Sequence, residues 1–150
     1  MLLESLLAFF HISAVLGWIV FATSQAVMCR GDWISPAVVQ RLVRLDLILW
    51  IATAAVLVSG VARIYLGVKG AAFYGVNPLL HLKVVLFAVV MIYQIGPSRH
   101  YRRWRARLAA GEALPPEPEM RAARRAVMMA THIVAIIPLP AVFLARGFGG

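Results

Sequence analysis

Residues 60–83, GVARIYLGVKGAAFYGVNPLLHLK, leave one long apolar segment, cross a short glycine-rich loop and enter another. They hold Arg63, Lys69, His81 and Lys83, every basic residue between Arg44 and Arg99. Arg63 and Lys83 fall on or just inside the ends of segments that otherwise read as membrane helices. An ionisable group there costs free energy, about 2.5–3.5 kcal/mol at a helix centre on insertion scales and less near the ends. Such residues mark functional sites by default. The plain alternative is a long side chain snorkelling to the headgroups.

Working outward, the apolar runs set the fold class. Of the 150 residues, 62% are hydrophobic and 14% charged, too apolar a balance for a soluble domain. A hydrocarbon core of about 30 Å takes about 20 helical residues. Four runs meet that length, at approximately 3–28, 45–66, 78–96 and 121–145. They predict an all-α, four-helix transmembrane bundle forming a single membrane domain over 1–150. The first run carries Glu4 where a leader would carry basic residues, and it reads as a retained helix. Ser35-Pro36 and Asn77-Pro78 are helix starts, a capping side chain followed by proline. Gly96-Pro97 reads as the end of the third span. Pro138 and Pro140 should kink or loosen the last turns of the fourth, and residues 147–150 read as a frayed tail.

Charge sets the orientation. The net charge is +9. Arg30, Arg41 and Arg44 follow the first span, and eight arginines from Arg99 to Arg125 lie between the third and fourth. The positive-inside rule puts these loops in the cytoplasm and both termini on the outer, periplasmic side of a bacterial inner membrane. The run from Arg99 to Arg107, with His100, Tyr101 and Trp104 interleaved, abuts a membrane helix. It reads as a headgroup-anchored extension, not a nucleic-acid surface. The expected surroundings are therefore a lipid bilayer and no nucleic acid. The single cysteine, Cys29, excludes an intrachain disulfide and any multi-cysteine metal site.

This topology groups the ionisable residues. Arg63, His81 and Lys83 fall on the outer side. His11 lies about 13 Å into the first span, and His132 about 19 Å from the outer end of the fourth, at 1.5 Å per residue. Trp18 is two turns beyond His11 on nearly the same face. A shared polar cavity in the outer half is one reading; separate interhelical hydrogen bonds are the other. His81 and Lys83 are about 200° apart around their helix, so they cannot share a face. A deep neutral imidazole in a helical bundle is a usual ligand of a b-type haem. No CxxCH motif is present, so covalent attachment is excluded. Ser13 and Gly17, four apart, let another helix approach closely.

Two resemblances add expectations. The pattern of residues 60–83, with His11, Asp46, Gly60, Arg63, Lys69, Gly70, Phe73, Tyr74, Asn77, Pro78 and Lys83, resembles a family of small four-span bacterial membrane proteins of unknown function. More distantly, Phe10-His11 with Trp18, Ser59-Gly60 with Arg63, and His81-Leu82-Lys83 resemble HemJ-type protoporphyrinogen oxidases. In that family a first-helix histidine is implicated in haem b binding, and the lysine of a His-x-Lys motif is needed for activity. The resemblance implies His11 as iron ligand and Lys83 as essential lysine. The Tyr-Pro-Arg-like segment at the end of that family's first helix has no counterpart; residues 22–26 read ATSQA.

The functional expectation is a haem-b-binding membrane oxidoreductase of the porphyrinogen-oxidising type, passing electrons to a quinone or a partner. His11 would be the metal ligand, with His81, His132 and Trp18 around the cofactor. Lys83 and Arg63 would be the catalytic pair. The alternative is a non-enzymatic accessory or assembly subunit of a larger respiratory or photosynthetic membrane complex. Either way the chain is expected to work as a homo-oligomer or complex subunit.

Overall fold

The computed structural model describes residues 2–149. Its elements are α1 (Leu2–Met28), α2 (Pro36–Leu66), α3 (Gly70–Gly75), α4 (Pro78–Ala109), α5 (Glu117–Ile136) and α6 (Pro138–Ala145). Four helical stretches are long and apolar enough to cross a membrane: α1, α2, α4, and α5 with α6 taken together. Large apolar side chains such as Leu16, Val20, Ile51, Val58, Val85 and Ile92 are exposed on the outside of the bundle. In water such a surface would drive aggregation; in lipid it is the solvated face. The chain is a multi-pass membrane protein.

Both anticipated helix starts form. Ser35 Oγ accepts from Val38 N at 3.3 Å, and Asn77 Oδ1 accepts from Leu79 N at 3.0 Å. Each satisfies a first-turn N–H that has no partner within its own helix. The helix of α4 runs on through Gly96 and Pro97, where the sequence places the end of a span. Pro97 lacks the N–H that a helix interior needs. The bond lost is the one to the Tyr93 carbonyl, four residues back, and a membrane helix tolerates such a loss where its neighbours hold it; Pro97 is buried in the bundle. Pro138 does divide the last stretch: α5 ends at Ile136 and α6 starts at Pro138.

Around the bundle, α1 packs on α2 and α5, and α4 packs on α2, α5 and α6. Helices adjacent in the chain run antiparallel, so both termini reach the end that holds α3. This terminal end is tied by three strands of polar contact. Glu4 pairs with Arg63 at 3.4 Å and accepts from Val68 N at 3.2 Å. Lys69 Nζ donates to the carbonyls of Leu144 and Ala145, both at 2.8 Å, closing the C-terminus of α6. Asn77 Nδ2 donates to Phe148 O at 3.0 Å. The described part of the tail, residues 147–149, is thus docked where the sequence suggested fraying; Gly150 lies outside the described residues. At the opposite, basic end, Trp104 Nε1 donates to Glu119 Oε2 at 2.7 Å, with Arg103 and Arg107 beside the same carboxylate at 3.6 and 3.7 Å. That joins α4 to α5.

The apolar core has two parts. Trp18, Ala22, Leu49, Val90, Val127 and Ala130 fill the middle. Cys29, Leu42, Tyr101, Trp104 and Met120 fill the basic end. Ala22 is fully buried between helices, so Ala22→Leu overpacks the middle and should cost about 1–3 kcal/mol. Ala54→Leu, on the exposed side of α2, should cost close to nothing. Unfolding in mixed detergent micelles measures both. Cys29 Sγ lies 3.3 Å from the Tyr101 hydroxyl, and burial pushes its thiol up to about 11 from an ordinary 9.0. Above the ordinary value the unfolded state gives up this proton first, so stability should fall as pH rises toward 11. Maleimide labelling of Cys29 should be slow in the folded protein and fast once it unfolds.

Candidate functional site

The helices place polar groups in layers along the seam between α1 and α2. On α1 the layers are His11, Trp18 and Gln25, seven residues apart. Seven residues are two turns, so all three lie on one face. Opposite them on α2 stand Ser59 with Gly60, then Thr53, then Asp46. His11 Nδ1 meets Ser59 Oγ at 2.9 Å. Trp18 Nε1 donates to Thr53 Oγ1 at 3.0 Å. Gln25 faces Asp46.

The first layer contains the chemistry that the sequence singles out. Ser59 Oγ also lies 2.6 Å from the carbonyl of Ala55. A hydroxyl has one proton, and this short contact to a carbonyl takes it. Ser59 can then only accept from His11, so the imidazole carries its proton on Nδ1. With that proton on Nδ1, a neutral ring keeps its lone pair on Nε2, the form in which histidine binds a metal or takes a proton. The ring rests on Gly60: a Cβ there would come to 3.4 Å from His11 Cε1, so a side chain larger than alanine would push the ring away. Arg63, one turn further along α2, is within electrostatic reach of both His11 and Lys83. Its guanidinium is held by Glu4 at 3.4 Å. Glycine at position 67 keeps this corner compact, because a Cβ there would strike the Arg63 carbonyl oxygen.

The terminal end therefore brings together His11, Arg63 and Lys83 from α1, α2 and α4. Lys83 is half-buried, and His81, two residues earlier, is exposed. This decides which of the two faces the bundle. His132 does not join them: it is exposed on α5 and bonds its own helix, Nδ1 to Met128 O at 2.6 Å. Trp18 lies one layer deeper, bonded to Thr53. Glu4, which fixes Arg63 and the start of the following loop, was not singled out by the sequence. Its signal is the one acidic residue in the first turn of an apolar helix.

A second polar cluster lies toward the basic end and joins α1, α2 and α4. Thr53 Oγ1 is 2.8 Å from Leu49 O and 3.0 Å from Gln94 Oε1. Ser98 Oγ is 2.6 Å from Asp46 Oδ1, and Trp50 Nε1 donates to Ser98 Oγ at 2.8 Å. The sequence reading passed over Gln25, Gln94 and Ser98 because single polar residues inside apolar runs leave hydropathy almost unchanged. The seven-residue step from His11 through Trp18 to Gln25 is the signal that points to them.

Residues 3–149 match a family described as predicted membrane protein (DUF2214). The chain belongs to this family. No curated protein and no solved structure matches it. The likeness to HemJ-type oxidases therefore rests on the few residues quoted above. In this DUF2214 protein the motif residue His11 rests on Gly60 with Arg63 and Lys83 within electrostatic reach, and Lys69 and Asn77 tie down the C-terminal segment.

The Nδ1–H assignment is directly measurable. In protein labelled with ¹⁵N at histidine, the His11 resonances, identified by their loss in His11→Asn, should be those of a neutral ring protonated at Nδ1. Ser59→Ala should release the ring, giving mixed or opposite protonation of the two nitrogens. An unchanged Nδ1–H signal in Ser59→Ala would show that the serine does not set it.

Proposed function

We propose that this protein is a membrane redox protein that holds a b-type haem at His11. The observation that carries this reading is the line of contacts from the Ala55 carbonyl through Ser59 Oγ to His11 Nδ1, which in a neutral ring leaves Nε2 unprotonated. A hydrogen bond to the other ring nitrogen would hold the imidazole in one orientation as a ligand. Lys83 and Arg63 supply two cations on the same side, suited to a pair of propionates or to the carboxylates of a substrate. Among the described residues no three His, Cys, Asp or Glu side chains converge on one point. A metal at His11 would thus arrive inside an organic group, not as a bare ion. Such a haem would supply one-electron chemistry. The chain's own residues bind it, orient the imidazole and place positive charge beside it.

The resemblance to HemJ-type enzymes extends this to oxidation of a porphyrinogen, with electrons leaving to a quinone or a partner protein. Lys83 is then the residue closest to the substrate's acidic groups, and Arg63 its neighbour. By the positive-inside rule the terminal end faces the periplasm of a bacterial inner membrane and the basic end the cytoplasm.

One observation favours a second reading, an accessory subunit. Gly17 has nothing within 4 Å of where its Cβ would be, and Ser13 is exposed, so this small face of α1 is left open to another helix.

The spectrum of the detergent-purified protein, oxidised and then dithionite-reduced, separates them. A Soret band with sharp reduced α and β bands is expected, abolished in His11→Ala and kept in His132→Ala. Haem content unchanged in His11→Ala would overturn the assignment. A protein with no chromophore after haem-supplemented expression, purifying in fixed stoichiometry with other membrane proteins, would favour the accessory subunit.

A further inference from the structure

Of the six carboxylates in the chain, only Asp46 is buried. It is 3% exposed, lies within α2, and makes no salt bridge among the described residues. Its partner is a hydroxyl, Ser98 Oγ, at 2.6 Å. Around this contact the hydrogen atoms can be counted. Ser98 has one proton and two lone pairs. Trp50 Nε1–H occupies one lone pair. The Ser98 proton has two acceptors in reach, Asp46 Oδ1 and the Gln94 carbonyl at 3.1 Å.

Two complete arrangements follow. With Asp46 ionised, Ser98 donates to the carboxylate. With Asp46 protonated, the carboxyl group donates to the second lone pair of Ser98, and the Ser98 proton swings to the Gln94 carbonyl. Neither state leaves Ser98, Trp50 or Oδ1 unpaired, and no heavy atom has to move. An incoming proton ends on Asp46, and nothing else is gained or lost.

A second, independent observation lies beside this pair. Gln25 and Gln94 are 1% and 3% exposed, and the Nε2 of each has no partner. Both side chains line one small cavity of about 10 Å³, walled by Trp18, Ala22, Leu49 and Pro97. A space of about this size holds one water molecule when polar partners are present. Two unpaired amide donors match the two lone pairs of a water oxygen. Gln25 also faces Asp46, so its amide links the cavity to the carboxyl group.

We propose that Asp46, Ser98 and the Gln25–Gln94 cavity form a buried proton-binding site, in which a carboxyl group gains and loses a proton and the Gln25 amide joins it to one internal water molecule in the cavity. This goes beyond the haem reading, and it involves neither His11 nor Lys83. The groups facing Asp46 allow it to be biased. From α4 they are Arg102 and Tyr101, and from α1 the neutral amide of Gln25. On α2 itself Arg41 and Arg44 are exposed at the basic end. No carboxylate among these competes for the proton.

Infrared difference spectroscopy of the full-length protein in micelles, titrated from alkaline to acid, tests this. A carbonyl band of a buried carboxylic acid should appear on acidification and be lost in Asp46→Asn. In Ser98→Ala, which keeps every charge, the band should shift, because the group has lost its hydrogen-bond partner. A water O–H band sensitive to heavy-oxygen water should be present and lost in Gln25→Leu. No titrating carbonyl band, or one that persists in Asp46→Asn, would overturn the proposal. Should Asp46→Asn fail to fold, Ser98→Ala decides alone: an unshifted band assigns the proton elsewhere. A titrating Asp46 with no water band in the wild-type protein would overturn the cavity's part in the site.

Discussion

The hydrogen bond from Trp18 to Thr53 sits at the centre of the seam on which the rest of the bundle is registered. In hydrocarbon two helices gain little by hiding apolar surface from each other, because lipid is as apolar as leucine. Packing and interhelical hydrogen bonds must choose how the helices align. On α1 and α2 hydrogen bonds make that choice twice, at His11–Ser59 and Trp18–Thr53, and Gln25 facing Asp46 adds a third layer. Sliding one helix by a turn would break all three layers together. It would also leave an indole N–H and an imidazole N–H unpaired, each a cost of several kcal/mol away from water. Each bond alone is modest, on the order of 1 kcal/mol in membrane proteins. Repeated every two turns, they specify one alignment.

The third helix is fixed by the same groups. Thr53 and Asp46 each present a second polar contact toward α4, where Gln94 and Ser98 take them up. With α4 held at that height, Lys83 comes level with Arg63 at the far end of both helices. The charged pair at the terminal end thus follows from neutral contacts about three turns away. The Gln94 and Ser98 contacts, with buried Val90, Tyr101 and Trp104 on the same helix, turn Lys83 inward in place of His81. Glu4 then adds counter-charge to Arg63, which relieves a pair of like charges in a thin polar layer.

Much of this was legible in the sequence. Run length and arginine placement reveal four helices, and Ser35-Pro36 and Asn77-Pro78 mark two starts that the structure keeps. The candidate residues His11, Arg63 and Lys83 were visible because ionisable groups stand out against apolar runs. Whether His81 or Lys83 faces inward was not legible, since both lie in the first turns of α4 and only the rotation of that helix decides. That rotation is set by Gln94 and Ser98, which hydropathy barely registers. The continuation of α4 through Pro97 was hidden for a related reason. A proline ends a helix when nothing holds the segments on either side of it in line, and here Gln94 before it and Ser98 after it are both bonded to α2. The docked tail depends on Lys69 and Asn77 meeting carbonyls some 70 residues away, a pairing that local pattern does not contain.

The two clusters differ in what they can exchange. At the terminal end an imidazole lone pair and two cations face a site suited to an anionic, electron-carrying group. Near the basic end a carboxyl group and two amides suit a proton and a water molecule. They lie two layers apart on one seam, about 21 Å along the helix axis at 1.5 Å per residue, with Trp18 and Thr53 between them. Neither could shift without disturbing the other, because the same three layers align both. A bundle this small has few interior positions, and it places nearly all of its polar interior groups on this one line. If the seam served only to hold helices together, neutral pairs like Trp18–Thr53 would do so more cheaply than a buried carboxylate at one end and paired cations at the other. The charged ends are therefore what needs a functional explanation, and the neutral middle is what keeps them in place.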